Sequence, residues 1–154
     1  AQGHLWAHIA GLFRMSWIIS LTDDLATCHA LRRTVFIEEQ NVSVADEVDG
    51  RDGEALHLMA RVDGKAFGCA RILLVDDVAK IGRVCVLQQM RGKGLGAAIS
   101  LACLDVLRMQ PGITRAKLGA QTHALAFYEK LGFSAYGPVY DDAGIPHQDM
   151  ECEL

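Results

Sequence analysis

Residues 55–87 leave this chain little choice of fold. Leu56, Leu58, Ala60 and Val62 alternate with His57, Met59 and Arg61, the period of a strand with one buried face. Asp63-Gly64 follows, the pair preferred where a two-residue hairpin turn needs positive φ at both central positions. Lys65–Val75 is the return strand, Asp76-Asp77 a second turn and Ala79–Leu87 a third strand. Three antiparallel strands therefore occupy the middle of the chain. Gly94–Met109 is apolar nearly all round, through Leu95, Ile99, Leu101, Ala102, Leu104 and Val106, and reads as a buried helix. Pro111-Gly112 ends it, Ile113–Ala120 is a strand, and Thr122–Leu131 is a helix closed by Gly132. Upstream, Trp17–Leu21 reads as a first strand, with Thr22 and Asp23 as N-cap types before a helix at Leu25–Glu39. Glu38–Glu54 is a long acidic loop with room for a short helix. Phe133–Tyr136 and Gln148–Leu154 are late strands joined by a turn-rich loop containing Gly137-Pro138, Asp141-Asp142 and Gly144. The expectation is one α/β domain with a mixed sheet over residues 15–154, three antiparallel strands running into a β-α-β crossover.

Composition narrows the function classes. With 154 residues and 51% hydrophobic content, a single core is affordable without staples. The formal net charge of −4 lacks the basic excess of a strong nucleic-acid binder, and no run reaches the length of a membrane span. Five cysteines, none in CxxC spacing, fit free thiols in a reducing, cytoplasmic setting better than disulfides or zinc. Ala1–Arg14 is a poor secretory signal and reads as a leader or an added segment outside the fold, with Met15 as the natural start. His4 and His8 within it share a spacing used by metal ligands, but no third ligand is in view, so no metal is expected.

The most specific local feature is Arg91-Gly92-Lys93-Gly94-Leu95-Gly96, between a strand and the buried helix. Small residues let the backbone approach an anion, and the free N–H groups of the helix start point at it. The loop reads as a phosphate or pyrophosphate cradle. It is not a Walker A loop, because Lys93 is followed by glycine and the upstream glycine is missing. A dinucleotide fingerprint is met formally by Gly92, Gly94 and Ala97, but the next strand ends Leu118-Gly119-Ala120-Gln121 without an acid for a ribose. Arg91, Gly94 and Gly96 fit the R/Q-x-x-G-x-G/A motif of acyl-CoA-dependent N-acetyltransferases.

A second segment, Gln121-x-x-Ala124-x-x-x-Tyr128-x-x-Leu131-Gly132-Phe133, resembles the N-x-x-A-x-x-x-Y-x-x-x-G-F signature of the same group, with Gln121 in place of the usual Asn. Val35–Gln40, Glu47-Val48-Asp49 with His57, Ile81–Val84 and Gly144-Ile145-Pro146-His147 add matches to one branch. The chain from about Met15 onward thus resembles the GNAT superfamily, in its ElaA-like branch. The resemblance implies a GNAT fold: a mostly antiparallel sheet, splayed between two strands and flanked by helices. It implies acetyl-CoA as donor, with the pantetheine arm in the splay against main-chain groups of Val84 and Val86. Cys85 or Val86 would donate an N–H to the thioester oxygen. Arg91, Gly92, Lys93, Gly94, Leu95 and Gly96 would hold the diphosphate, and Gln121, Phe127 and Tyr128 would line the arm. Tyr128 would protonate the departing thiolate.

The acceptor would be a primary amine, on a small molecule or on a peptide or protein, and it must lose a proton before it attacks. Candidate bases are Glu38, Glu39, His57 and His147, with Glu39 and His57 preferred. Glu39 lies where acceptor sites of this group are lined, and His57 faces away from the Leu56/Leu58 stripe. The acidic loop Asp46–Glu54 is a candidate attractor for a cationic acceptor. Neither a nucleic-acid nor a membrane partner is expected, and the family likeness is compatible with a homodimer. Two rival readings stand beside this one. Arg33, Phe36, Glu47, Asp49, Asp52 and Arg71 also resemble the first half of acyl-homoserine-lactone synthases. A non-catalytic acyl-CoA-binding sensor would share the loop without the chemistry.

Overall fold

The computed structural model describes residues 5–10 and 15–154, with side chains described from Ser16 onward. His4 and the side chain of His8 lie outside that set. Eight strands form one sheet: β1 (Leu5–Ala10), β2 (Met15–Thr22), β3 (Leu56–Val62), β4 (Lys65–Val75), β5 (Val78–Val86), β6 (Arg115–Gln121), β7 (Ser134–Asp142) and β8 (Ile145–Glu153). Their order is β1-β2-β3-β4-β5-β6-β8-β7. Every neighbouring pair is antiparallel except β5 and β6. That parallel pair needs a crossover, supplied by α3 (Leu95–Arg108), which follows α1 (Leu25–Arg32) and α2 (Val44–Glu47) and precedes α4 (Leu125–Glu129). Among the described residues no helix is long and apolar enough to cross a membrane.

Local chemistry accounts for most boundaries. Asp63 and Gly64 adopt φ of 49° and 82°, the turn that their sequence asks for. Asp24 caps α1, its carboxylate accepting from the Thr27 amide at 3.1 Å, one residue beyond the expected Asp23. The helix then widens to π-helical turns over Arg33–Glu39. The strand β1, paired with β2, begins the sheet ahead of Met15, where the sequence reading drew its boundary. The expected loop after Tyr136 is instead a continuous hairpin. It turns at Ala143 and Gly144, both at positive φ, while Gly137 and Pro138 sit in a break of register between Tyr136 and Tyr140. A bulge absorbs a glycine and a proline as readily as a turn does.

Both faces of the sheet are covered. On one, Leu58, Ala60, Ala70, Ile72 and Ile81 pack with Ile99, Ala102, Cys103, Leu104 and Leu107 of α3. On the other, Met59, Cys69 and Cys85, adjacent across β3, β4 and β5, meet Cys28, Leu31 and Val35. All five cysteines are free thiols, and Cys69 and Cys85 bring their sulfurs to 3.5 Å. The close seat of α3 depends on Gly68, where a Cβ would lie 2.7 Å from Ile99 Cδ1 and 2.8 Å from the Cys85 carbonyl oxygen.

The acidic loop is strapped to the second face by arginines. Arg32, 1% exposed, hydrogen-bonds Glu47 and Asp52. Arg71 grips Asp49 through two bonds of 2.8 Å and reaches Asp52 at 3.2 Å. Arg83 donates to the carbonyls of Asp46 and Glu47. Three guanidiniums thus offset Glu47, Asp49 and Asp52, so these carboxylates act as internal counter-ions. Hydrogen bonds from Arg71 hold Asp49 down at about 2. Burial raises Asp52, but bonds from Arg32 and His29 outweigh it and leave it well below the usual range.

Two outcomes follow from this packing. A carboxylate depressed in the fold stabilises it above the unfolded value near 3.9 and loses that contribution as pH falls toward 2. The unfolding free energy in urea should therefore drop from about pH 4 to pH 2, and Arg71→Met should flatten the drop; equal slopes would contradict the strap. Gly68→Val should cost roughly 1–3 kcal/mol by overpacking, read as a lower thermal midpoint.

Candidate active site

Strands β5 and β6 pair through Val78–Arg115, Ala79–Ala116 and Lys80–Lys117 only; beyond them the strands part. The bend lies in β5. Arg71 pairs with Gly82 and Cys69 with Cys85, so Arg83 and Val84 stand opposite Ala70 alone. Arg83 takes φ of 52°, a left-handed geometry uncommon outside glycine, and its guanidinium bonds to the strapped loop hold it there. A bulge of this kind sharpens the local twist and turns β5 away from β6.

The gap is a cavity of about 390 Å³. Gly82, Arg83 and Val84 form one wall, Leu118 to Gln121 the other, and Phe36, Gln40, Tyr128, Tyr140 and His147 close the ends. Main-chain groups along both walls are no longer engaged with each other, which suits an extended amide-bearing chain laid between them.

The glycine loop lies at the far end of β5. Gly92 and Gly94 adopt φ of 75° and 90°, conformations that glycine takes without steric cost, and Gly94 is the N-cap of α3. The first turn of a helix has no internal partners for its N–H groups. Amides from Gly94 to Ala97 therefore converge on one spot, with the helix dipole favouring an anion. At Gly96 a Cβ would stand 3.7 Å from Phe127 and 3.8 Å from Val86, so any longer side chain would fill the space where strand end, helix start and α4 meet. Bare amides and a glycine-kept opening fit a diphosphate and its attached arm. Leu95, 1% exposed, anchors the turn in the core. Arg91 is turned back, its Nε on the Val86 carbonyl at 2.9 Å and its guanidinium 2.7 Å from Glu39. Lys93 makes no ion pair among the described residues, so it is the loop's available cation.

Tyr128 projects from α4 into the cavity. Phe127 and Phe133 meet it edge-on at 5.0 and 5.9 Å. Burial pushes its phenol up to about 12, with Cys103 adding to the effect, so it keeps its proton at any physiological pH. Gln121 donates to Gln40 Oε1 at 3.0 Å and receives His123 Nε2 at 2.7 Å, a side-chain chain across the cavity mouth.

The structure gathers Val84, Gln121 and Tyr128 around one space, with Val86, Phe127 and the loop 91–96 alongside. Cys85 faces the thiol cluster under α1; only its main chain is on the gap's strand. Two expected bases are elsewhere. His57 is 4% exposed, bonded through Nε2 to the Asp52 carbonyl, and does not line the cavity: the face opposite Leu58 is roofed by α1 and the strapped loop, not open. Glu39 is committed to Arg91. Glu38 lies 3.7 Å from Arg33 on the surface. Of the residues behind the lactone-synthase likeness, Asp49 and Asp52 pair with Arg71 and Glu47 with Arg32 in the strap, Phe36 lines the cavity and Arg33 lies beside Glu38. Sequence reasoning missed Gln40, His123 and Tyr140. Gln40 and His123 lie inside quoted motifs, at positions those motifs leave without a role, whereas Tyr140 lies outside every quoted motif.

Among the described residues no group of three or more histidines, cysteines or acids is arranged to hold a metal. The family model of the acetyltransferase (GNAT) domain matches residues 24–154. YyaT of Bacillus subtilis is 37% identical over 139 residues, covering 88% of this chain and 93% of that protein. ElaA of Escherichia coli is 35% identical over 129 residues, covering 80% and 84%. The crystal structure of Escherichia coli ElaA superposes with a TM-score of 0.78 at 31% identity, over 90% of this chain and 99% of that one. A Bacillus subtilis acetyltransferase in complex with CoA shares the fold, with a TM-score of 0.68 at 17% identity over 88% of this chain and 97% of that one. A splayed sheet, a glycine turn at the start of α3 and a near full-length match to these relatives lead to one assignment: the chain belongs to the GNAT acetyltransferase family.

Proposed function

We propose that this protein transfers an acetyl group from acetyl-CoA to a primary amine by direct attack through a tetrahedral intermediate. The observation that carries the reading is the parting of β5 and β6 beside Tyr128, with the Gly92–Gly96 turn at the same end of β5. In this reading the loop amides and Lys93 bind the diphosphate, and the freed main chain of Val84 to Val86 holds the pantetheine arm as a surrogate strand. A main-chain N–H beyond the bulge donates to the thioester oxygen, polarising the carbonyl and stabilising the oxyanion. Tyr128 gives its proton to the departing thiolate. A phenol near 12 is a weak donor to a thiolate of ordinary basicity. A thiolate released into the same dry surroundings is raised by the same desolvation, which brings the two acids together. Gln121 orients the arm only weakly, because its amide already bridges Gln40 and His123.

Incubation with acetyl-CoA and an amine panel, with mass spectrometry of the products, tests the reading; steady release of free coenzyme A without an acetylated amine would contradict it. Tyr128→Phe should lower turnover about 10²–10⁴-fold and leave acetyl-CoA affinity unchanged by calorimetry. Gly94→Val forces a branched residue to φ near 90°, at a cost of roughly 1–2 kcal/mol, and should raise the acetyl-CoA Kd by about tenfold or more.

A further inference from the structure

We propose that His147 is the general base of the reaction, taking a proton from the acceptor ammonium through Nε2; the assignment rests on the transferase reading above. His147 stands on β8 between Gln121 of β6 and Tyr140 of β7, and it lines the cavity that Tyr128 enters. Its Nδ1 lies 2.7 Å from the carbonyl oxygen of Ile145. A carbonyl only accepts, so in the neutral ring Nδ1 carries the proton and Nε2 presents a lone pair. No described residue bonds to that nitrogen.

The ring is also held in orientation. It stacks on Tyr140 at 6.0 Å and 24°, and Tyr140 donates to Asp149 Oδ1 at 2.6 Å. Beneath Tyr140 is Gly119, where a Cβ would stand 2.5 Å from the phenol oxygen. A bare backbone on β6 thus lets Tyr140 lie where it can support the imidazole. The other candidates lack one of these features. Glu39 is paired with Arg91, His57 is outside the cavity, and Glu38 is on the surface beside Arg33. His123 lines the cavity but is solvent-exposed and held through Nε2 by Gln121 alone. Around His147 are Tyr140 on its face and Asp149 beyond it; Tyr128, His123, Asp142, Lys80 and Arg83 line the same cavity, as do Asp46, Glu47, Asp49, Arg51 and Arg71 of the strapped loop and its strand.

The protons balance. Nε2 takes one proton from the ammonium, and the freed nitrogen pair forms the C–N bond while the carbonyl π pair moves to oxygen. That pair returns as the C–S bond breaks, the sulfur leaves with its bonding electrons, and Tyr128 protonates it. The second proton on the new amide nitrogen restores Tyr128 through solvent. The proton on His147 then leaves to water, so each turnover releases one proton.

The test is kcat/KM for an alkyl amine against pH in the wild type, His147→Gln, His147→Asn and His123→Gln, with the acetyl-CoA Kd measured for each. Both His147 variants should lose about 10²–10⁴-fold near neutral pH, with the acetyl-CoA Kd unchanged. The loss should shrink at alkaline pH, and it should nearly vanish with a weakly basic amine that is already deprotonated. A merely structural role would depress both amines equally at every pH, and that result would overturn the proposal. So would wild-type rates in the His147 variants, or a selective loss in His123→Gln instead. Failure of the transferase reading looks different: the wild type itself would then acetylate no amine, which overturns both.

Discussion

Strands β5 and β6 pair at three positions and then separate, and the cavity of the molecule depends on that separation. A parallel pair held to the end would bury its main chain in its own ladder. Here the ladder stops at Lys80 and Lys117, and the left-handed turn at Arg83 keeps it from resuming. The strain at Arg83 is held by its bonds to the carbonyls of Asp46 and Glu47. Those carbonyls belong to a loop that Arg32 and Arg71 fasten in turn. The acidic segment that looks like a docking surface in the sequence is thus the brace of the bulge.

Much of this was legible in the residues. Asp63-Gly64 fixed the central hairpin, the apolar helix after Gly94 fixed the crossover, and two ordered motifs pointed to the acetyl-CoA family. The features that failed to show share a cause: each depends on what another segment places nearby. A strand bulge at Arg83 carries no mark, since arginine has no preference for positive φ. His57 alternates outward from the apolar stripe, which means exposure only if the second face is open; here α1 covers it. Gly137-Pro138 signals a break in pairing without saying whether the chain turns or bulges.

The candidate bases show the same limit. Glutamate at the end of a long helix and histidine on a strand are equally able chemically. Ion pairing consumes Glu39 and burial removes His57. Tautomer and stacking, which are properties of the β7–β8 hairpin, single out a histidine that the sequence presents no differently from the rest.

The helices divide between the two sides of the parting. Helix α3, with the glycine turn at its head, rests on β2 to β5, whereas α4, with Tyr128, rests on β6 and β7. The glycine turn and Tyr128 therefore ride on separate half-sheets, each complete in its own antiparallel ladder and joined along a short seam. The distance from the glycine turn to the Tyr128 phenol is thus set across the seam and not within either half's own ladder. Both halves nonetheless share one core, to which Leu118, Ala120, Phe133 and Met150 contribute along with Ile99 and Leu104 of α3, so side-chain packing rather than the three paired positions alone fixes the opening.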